Sequence, residues 1–185
     1  IGITDDYNAY KYLFAPEKHA LCWAHPESKL RDLANSKAFP RAKRERCERM
    51  HEKFSELYGK IRETYSSPSN EGERKRIERK LIREFEAIIV PDQRDPEILA
   101  SIKRRLSEQK ECYFVCLAQD GIPPDNNRAE RELRHLVIKR KKSFGSKTPK
   151  GADALSILYS VIMSLWRRSK QDFFSSYAEA ARGVV

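Results

Sequence analysis

Acidic residues at two distant positions could carry metal-dependent chemistry. Asp5 and Asp6 follow the apolar tetrapeptide IGIT, and Glu130 lies within the stretch PPDNNRAERE. A carboxylate at the carboxyl end of a strand lies where open α/β sheets place their ligands. Two such groups from distant parts of the chain could together hold Mg²⁺, which prefers oxygen ligands.

The same acids also have structural explanations. Asp5 or Asp6 could cap a helix that follows them. Asn127 and Glu130 fit a capping box, in which the residue three positions into a helix reaches back to the cap. Glu130 and Arg134 are also spaced like an ordinary ion pair on a helix surface. Residue types and spacing alone favour these structural roles.

A run of cations follows the acidic motif. The seven basic residues of this run are Arg128, Arg131, Arg134, Lys139, Arg140, Lys141 and Lys142. Such a run is usually a solvated helix face, but this one leads into residues 143–146, whose backbone N–H and hydroxyl groups could contact phosphate. The whole chain shares the bias, with 37 Lys and Arg against 27 Asp and Glu, and its net charge of +10 favours a polyanionic partner.

The cysteines offer a weaker alternative, a zinc site. Cys22 and His25 have a suitable spacing, but Cys112 and Cys116 lie four apart in a predicted helix and not in the tight knuckle of structural zinc. With Cys47 the chain has only four cysteines in 185 residues, which is no disulfide framework. We therefore expect reduced thiols without zinc, in a reducing cytosolic setting.

The chain shows no targeting or membrane segment. Its first residues lack the basic start and long apolar run of a signal peptide. The longest apolar stretch, 155–166, is broken by serines and is shorter than the roughly 20 residues that span a bilayer. We expect a cytoplasmic protein that does not bind membranes.

Hydrophobic periodicity predicts the elements that position these residues. Short strands are expected at 1–4 and 19–25, with a helix at 7–14 between them. Further helices are expected in this order: one beginning at Pro26, an antiparallel hairpin over 41–90, a third helix at about 98–117, and three last helices at about 126–141, 151–168 and from 172 onward. The helix at 151–168 is apolar nearly all round, so we expect it to be central and buried.

Taken together, the motifs resemble the IS66-type transposases. PPDNNRAERELRHLVIKRKKSFGS followed by KGADALSILYSVIMSLWRR resembles the C-terminal catalytic segment of that family, and DDYNAY and LCWAHPESKLRDL resemble its middle motifs. The order is the same, a helical insert separates them as in the family, and the resemblance spans essentially the whole chain. DNNRAER and CWAH form a specific combination, although either alone is weak.

The resemblance implies an RNase H-like fold whose Asp-Asp-Glu triad binds two Mg²⁺ ions, with Mn²⁺ as an alternative. Asp5 matches the second acid and Glu130 the third, which leaves Glu132 outside the triad. The family usually has Gly where this chain has Asp6, so Asp6 is the alternative ligand. The seven cations are then expected to hold the DNA backbone.

The implied architecture is an α/β, predominantly helical fold. A partial RNase H-like core comes from 1–40 and from the C-terminal helices at 121–185, and a helical insertion at 41–120 interrupts it. The implied function is metal-dependent DNA strand cleavage and transfer during transposition of an insertion sequence. The expected partners are the DNA of the element ends and of the target, with a homodimer or larger synaptic oligomer, near the bacterial nucleoid.

One feature limits the enzymatic interpretation. The family's first Asp belongs on a strand upstream of IGIT, so we expect a C-terminal part of a transposase, a split gene product or a remnant that is inactive alone. The alternatives are a non-catalytic basic helical DNA-binding remnant and a structural helical protein that binds a cytosolic partner through 41–90.

Overall fold

The computed structural model describes residues 1–5, 14–15, 18–67, 70–143 and 145–183. The predicted helix at 7–14 falls largely outside these residues, as does Asp6. The elements of the described part are β1 (Gly2–Thr4), β2 (His19–Leu21), α1 (Ala24–Ala34), α2 (Arg41–Ser66), α3 (Glu71–Ile88), α4 (Glu97–Glu108), α5 (Lys110–Ala118), α6 (Asn127–Lys142), α7 (Pro149–Arg168) and α8 (Phe173–Arg182). The described part of the chain is therefore predominantly helical with two short strands, as predicted.

The chain divides into two compact units, Ile1–Arg128 and Ala129–Val185. The first unit contains both strands and α1 to α5, and the second contains α7, α8 and all but the first two residues of α6. The division into a core at 1–40 and 121–185 and an insertion at 41–120 stays a prediction.

The two strands pair in parallel. Ile3 lies opposite Ala20, and Thr4 lies opposite Leu21. The N–H of Cys22 donates to the carbonyl of Thr4 at 3.0 Å, which continues the pairing just beyond β2. Parallel pairing places the carboxyl ends of both strands at one edge, so Asp5 and Cys22 follow their strands at that edge.

Trp23 lies at the centre of the first unit's core. Its side chain is fully buried, and the indole N–H donates to the carbonyl of Tyr113 at 2.7 Å. Rings from three helices surround it with centroids 5.3–6.3 Å away, those of Phe54, Tyr58, Phe85, Tyr113 and Phe114. Helices α2, α3 and α5 therefore pack around Trp23, which lies two residues after the end of β2.

Helices α2 and α3 form the predicted antiparallel hairpin. Lys60 near the end of α2 pairs with Glu84 of α3 at 2.9 Å, whereas Arg46 near the start of α2 pairs at 2.9 Å with Asp95, beyond the end of α3. Helix α3 begins at a side-chain cap, since the Asn70 side chain accepts from the N–H of Glu73 at 2.9 Å.

The predicted third helix is two helices. The break falls at Gln109, whose φ of −115° departs from helical geometry. Neither Gly nor Pro marks this position, so the sequence has no local signal for the break. Residues 113–117 of α5 are all buried, because this short helix packs against β2 and α3.

The second unit contains helices with apolar but uncovered faces. Trp166 of α7 packs edge-on against Phe173 of α8 with ring centroids 5.5 Å apart, yet Trp166 remains 41% exposed. No described side chain of α7 is buried, so the prediction of a central buried helix was wrong. Composition reports how apolar a helix is and not how many neighbours cover it.

Among the described helices, α7 included, none combines the length and hydropathy that a bilayer crossing requires.

Candidate active site

Asp5 lies at the carboxyl end of β1 with an unsatisfied oxygen. Its Oδ1 atom is buried and accepts no hydrogen bond from the described residues. The backbone on either side is held, since the carbonyl of Asp5 accepts from the Thr4 hydroxyl at 2.8 Å and the carbonyl of Thr4 accepts from Cys22. A buried carboxylate oxygen without a partner is costly and needs an explanation, and a bound cation would provide one.

The loop that carries the DNN motif lies against the end of β2. The N–H of Trp23 donates to the carbonyl of Pro124 at 3.0 Å, and the N–H of Asn126 donates to Sγ of Cys22 at 3.5 Å. Residues more than 100 positions apart in the sequence are thereby joined at one edge of the strand pair. The fold thus brings this loop to the edge where Asp5 follows β1.

Both carboxylate oxygens of Asp125 are engaged in structure. Oδ1 accepts from the N–H of Asn127 at 3.1 Å, a turn that leads into α6, and Oδ2 accepts from the hydroxyl of Tyr58 at 2.6 Å. The side chain of the next residue differs, because Oδ1 of Asn126 is buried without a hydrogen-bond partner in the described structure.

Cys22 connects these groups as a neutral thiol. Its side chain is 1% exposed, and this burial raises the pKa of the thiol above its ordinary value, with the nearby Asp125 carboxylate acting in the same direction. At neutral pH Cys22 is therefore protonated. It serves as a packed link between the strands and the DNN loop.

Glu130 lies in the first turn of α6, in the second unit. Its side chain is exposed, and a carboxylate near a helix N-terminus interacts favourably with the helix dipole. Because Asp5 belongs to the first unit, the convergence of Asp5 and Glu130 stays a prediction.

Glu132 has a structural role, since it pairs with Arg167 of α7 at 2.6 Å and its carbonyl accepts from the Tyr159 hydroxyl.

All seven predicted DNA-binding cations are exposed on or beside α6. Within the described residues none of them forms an ion pair, so their charges are available to a polyanion. Phosphate contact by 143–146 stays a prediction, and two of these residues use their donors at the end of α6. Ser143 donates through its N–H and hydroxyl to Lys139, and Gly145, at φ 85°, donates its N–H to Arg140. These bonds end the helix, as a C-terminal glycine commonly does.

The described residues contain no cluster of three or more His, Cys, Asp or Glu side chains that could hold a metal ion. At the strand edge, Oδ1 of Asp5 and Oδ1 of Asn126 are buried side-chain oxygens without a hydrogen-bond partner among the described residues. None of the four cysteines forms a disulfide: Cys22, Cys47 and Cys116 are buried, and Cys112 is partly buried. The absence of zinc stays a prediction.

The sequence alone did not indicate the contacts made by Tyr58, Asn126 and Cys22. Tyr58 extends the apolar stripe of α2, and a tyrosine there needs a partner for its hydroxyl, which was the available signal. Asn126 was considered only as part of the DNN motif, and Cys22 only as part of the CWAH motif and as a candidate zinc ligand. Their contacts join residues about 100 positions apart, so the spacing of neighbouring residues does not predict them.

A known protein family matches most of the chain. The family model described as "Transposase IS66 family" matches residues 1–154. The matched range includes Asp5, the helical hairpin, the DNN loop, Glu130 and all seven cations. No curated protein and no solved structure matches the chain.

Proposed function

The chain belongs to the IS66 transposase family, and from this premise we propose that it forms part of a catalytic domain that cleaves and transfers DNA strands in a metal-dependent reaction. Membership itself implies a role in transposition and DNA as the partner. The observation that carries the catalytic proposal is the buried, unpaired oxygen of Asp5 at the carboxyl edge of two parallel strands.

The residues present fit a divalent metal. A buried carboxylate oxygen without a hydrogen bond gains most from a hard cation, since Mg²⁺ and Mn²⁺ prefer oxygen ligands. Asp5 and Glu130 would hold the metal as the second and third acids of the triad. Two such ions, when bound, would supply activation of the attacking oxygen and stabilisation of the leaving oxygen of a phosphodiester.

The protein's own contribution is rigid placement. Asp5 is fixed by the strand pairing around Thr4, and the DNN loop is fixed by bonds to Cys22, Trp23 and Tyr58. Positioning accounts for most of phosphoryl-transfer catalysis. A loop held by three hydrogen bonds would therefore fix the start of α6, the helix that carries the proposed catalytic carboxylate of Glu130.

Helix α6 combines the acid with the cations. From Glu130 to Lys142 the helix rises about 18 Å at 1.5 Å per residue. At about 3.4 Å per nucleotide along a strand, a helix lying along the DNA would place its basic end at phosphates at most about five nucleotides from the reacting one. The cations would thus hold the DNA backbone at a set distance from the cleavage site.

The proposed fold is an RNase H-like core at 1–40 and 121–185 with a helical insertion at 41–120. The parallel strands with an acid at their carboxyl edge support it. A DNA-binding remnant without chemistry would explain the cations but would leave the buried oxygen of Asp5 without a purpose. Assembly on element ends as a dimer or larger synaptic complex belongs to the same proposal.

The test is Mg²⁺-dependent strand cleavage by a protein that carries all three acids of the family's triad. Asp5→Asn and Glu130→Gln keep the side-chain size and lose the charge, so each should abolish cleavage and leave DNA affinity nearly intact. Cleavage at the normal rate in either variant would refute the assignment of that residue.

A further inference from the structure

Asn126 places a second unpaired oxygen beside the edge where Asp5 lies. Oδ1 of Asn126 and Oδ1 of Asp5 are both buried and have no hydrogen-bond partner in the part of the chain that the structure describes. Unsatisfied buried side-chain atoms are rare in folded proteins, and two at one edge of a strand pair point to a shared ligand.

Cys22 connects the two residues in space. Its N–H donates at 3.0 Å to the carbonyl of Thr4, the residue before Asp5, and its Sγ accepts at 3.5 Å from the N–H of Asn126 itself. Each unpaired oxygen therefore belongs to a residue that is bonded to Cys22 or adjacent to one that is. Because Cys22 is packed in the core, the backbone of both residues is held in place.

The chemistry of the two atoms selects the ligand. A carboxylate oxygen and an amide oxygen are both acceptors, so two of them together call for a cation or a donor, and hard divalent cations take both kinds of oxygen. Asp125, the neighbouring acid, is already engaged, because its two oxygens accept from Asn127 and Tyr58.

We propose that Asn126 is a metal ligand and that its Oδ1 shares a divalent cation with Asp5. This inference rests on the proposed function for the identity of the cation. It adds a neutral ligand to the carboxylates, and the geometry carries it independently of Glu130.

The direct test is a titration of the ¹⁵N-labelled chain with Mn²⁺, followed by NMR. At 21.6 kDa the side-chain amide signals are accessible. Paramagnetic Mn²⁺ at the proposed site should broaden the amide signal of Asn126 first. Asn35 and Asn70, whose side chains have partners at Arg31 and Glu73, serve as internal controls. Equal broadening of all three signals, or none at Asn126, would overturn the proposal.

Variants give a second readout, the Mn²⁺ affinity measured by electron paramagnetic resonance. Asn126→Ala should weaken Mn²⁺ binding by about tenfold or more. Losses of about this size are expected even when a residue only hydrogen-bonds to a metal ligand, so a direct ligand should cost at least as much. Asn126→Asp should retain binding, because it keeps an oxygen at the same position. Asn127→Ala is the matched control for disturbance of the loop and should bind normally.

The outcomes separate this inference from the proposed function. If Asp5→Asn loses Mn²⁺ and Asn126→Ala does not, Asn126 is no ligand and its oxygen is satisfied by water, while the proposed function stands. If neither substitution changes the affinity, the metal assignment of Asp5 fails as well. Equal losses in Asn126→Ala and Asn127→Ala would show a folding effect and overturn the inference.

Discussion

The hydroxyl of Tyr58 donates a 2.6 Å hydrogen bond to the carboxylate of Asp125, 67 positions further along the chain. Burial raises the pKa of Tyr58, and the bond to Asp125 raises it further, so the phenol stays a donor at physiological pH. Tyr58 belongs to the predicted insertion, whereas Asp125 precedes the helix that carries Glu130. Helix α2 therefore holds the loop from which α6 starts.

Tyr58→Phe should destabilise the protein and loosen this loop. Losing a hydrogen bond to a charged acceptor costs about 2 kcal/mol, because the carboxylate is left without its donor. Urea unfolding measures this loss. Tyr65→Phe on the same helix is the control and should change the free energy of unfolding by less than about 0.5 kcal/mol. Equal stability of the two variants would mean that the hydrogen bond from Tyr58 to Asp125 does not stabilise the protein.

Glu132→Gln should leave strand cleavage nearly normal. The ion pair between Glu132 and Arg167 is solvent-exposed, with side-chain exposures of 44% and 59%, so its loss costs at most about 1 kcal/mol. Cleavage by this variant is compared with that of Glu130→Gln in a protein with the full triad. An inactive Glu132→Gln beside an active Glu130→Gln would shift the site by two residues.

DNA binding by this chain should depend strongly on salt. Each phosphate contact contributes about −0.9 to the slope of log K against log salt concentration. Replacing Lys139, Arg140, Lys141 and Lys142 with Ala should therefore flatten the slope by up to about 3.6, as fluorescence anisotropy would measure.

A second quadruple variant controls for net charge. Four exposed cations of α3 provide it, namely Arg76, Arg79, Lys80 and Arg83. Their replacement with Ala removes the same total charge and should leave the slope nearly unchanged. Similar slopes in the two variants would assign the basic end of α6 to ordinary solvated surface.

Asp92 should make the protein sensitive to acid. Hydrogen bonds from the side chain and N–H of Arg94, and then from Arg46, hold the pKa of Asp92 well below its usual range. A carboxyl whose pKa is lowered by folding stabilises the protein above its unfolded pKa of about 3.9, and this contribution is lost as the pH falls towards the folded pKa.

Asp92→Asn should therefore be less stable than the unchanged protein at pH 7, and the difference should shrink below about pH 4. Urea unfolding over a pH series measures it. Asp32→Asn, an exposed carboxyl on α1, is the control. A difference that persists unchanged at pH 2 would show that packing, and not charge, explains the loss.

The cysteines should react with thiol reagents in two phases. Burial raises the pKa of the thiols of Cys22 and Cys47, and that of Cys116 to about 12, so few thiolates are present to react. Cys112 is only partly buried and should react first. Cys112→Ser should remove the fast phase in an Ellman assay; a fast phase that persists would show that the core opens readily.

The helices and the family could be predicted because both are written in local patterns. Apolar residues every three or four positions marked α2, α3 and α6, and the DNNRAER and CWAH motifs indicated the family that the match confirms. The break at Gln109 was not predictable, because no local residue signals it. Glu130 could be chosen over Glu132 only through the motif.

The sequence by itself determined that this is a basic, predominantly helical member of the IS66 family, since composition, periodicity and motifs are properties of neighbouring residues. The tertiary structure alone decided that Trp23 is the centre of the core, that Tyr58 braces Asp125, and that Asp5 and Asn126 each bury an unpaired oxygen. These relationships join residues tens of positions apart. Packing decides them, because which distant side chains meet depends on how whole elements bury their apolar faces.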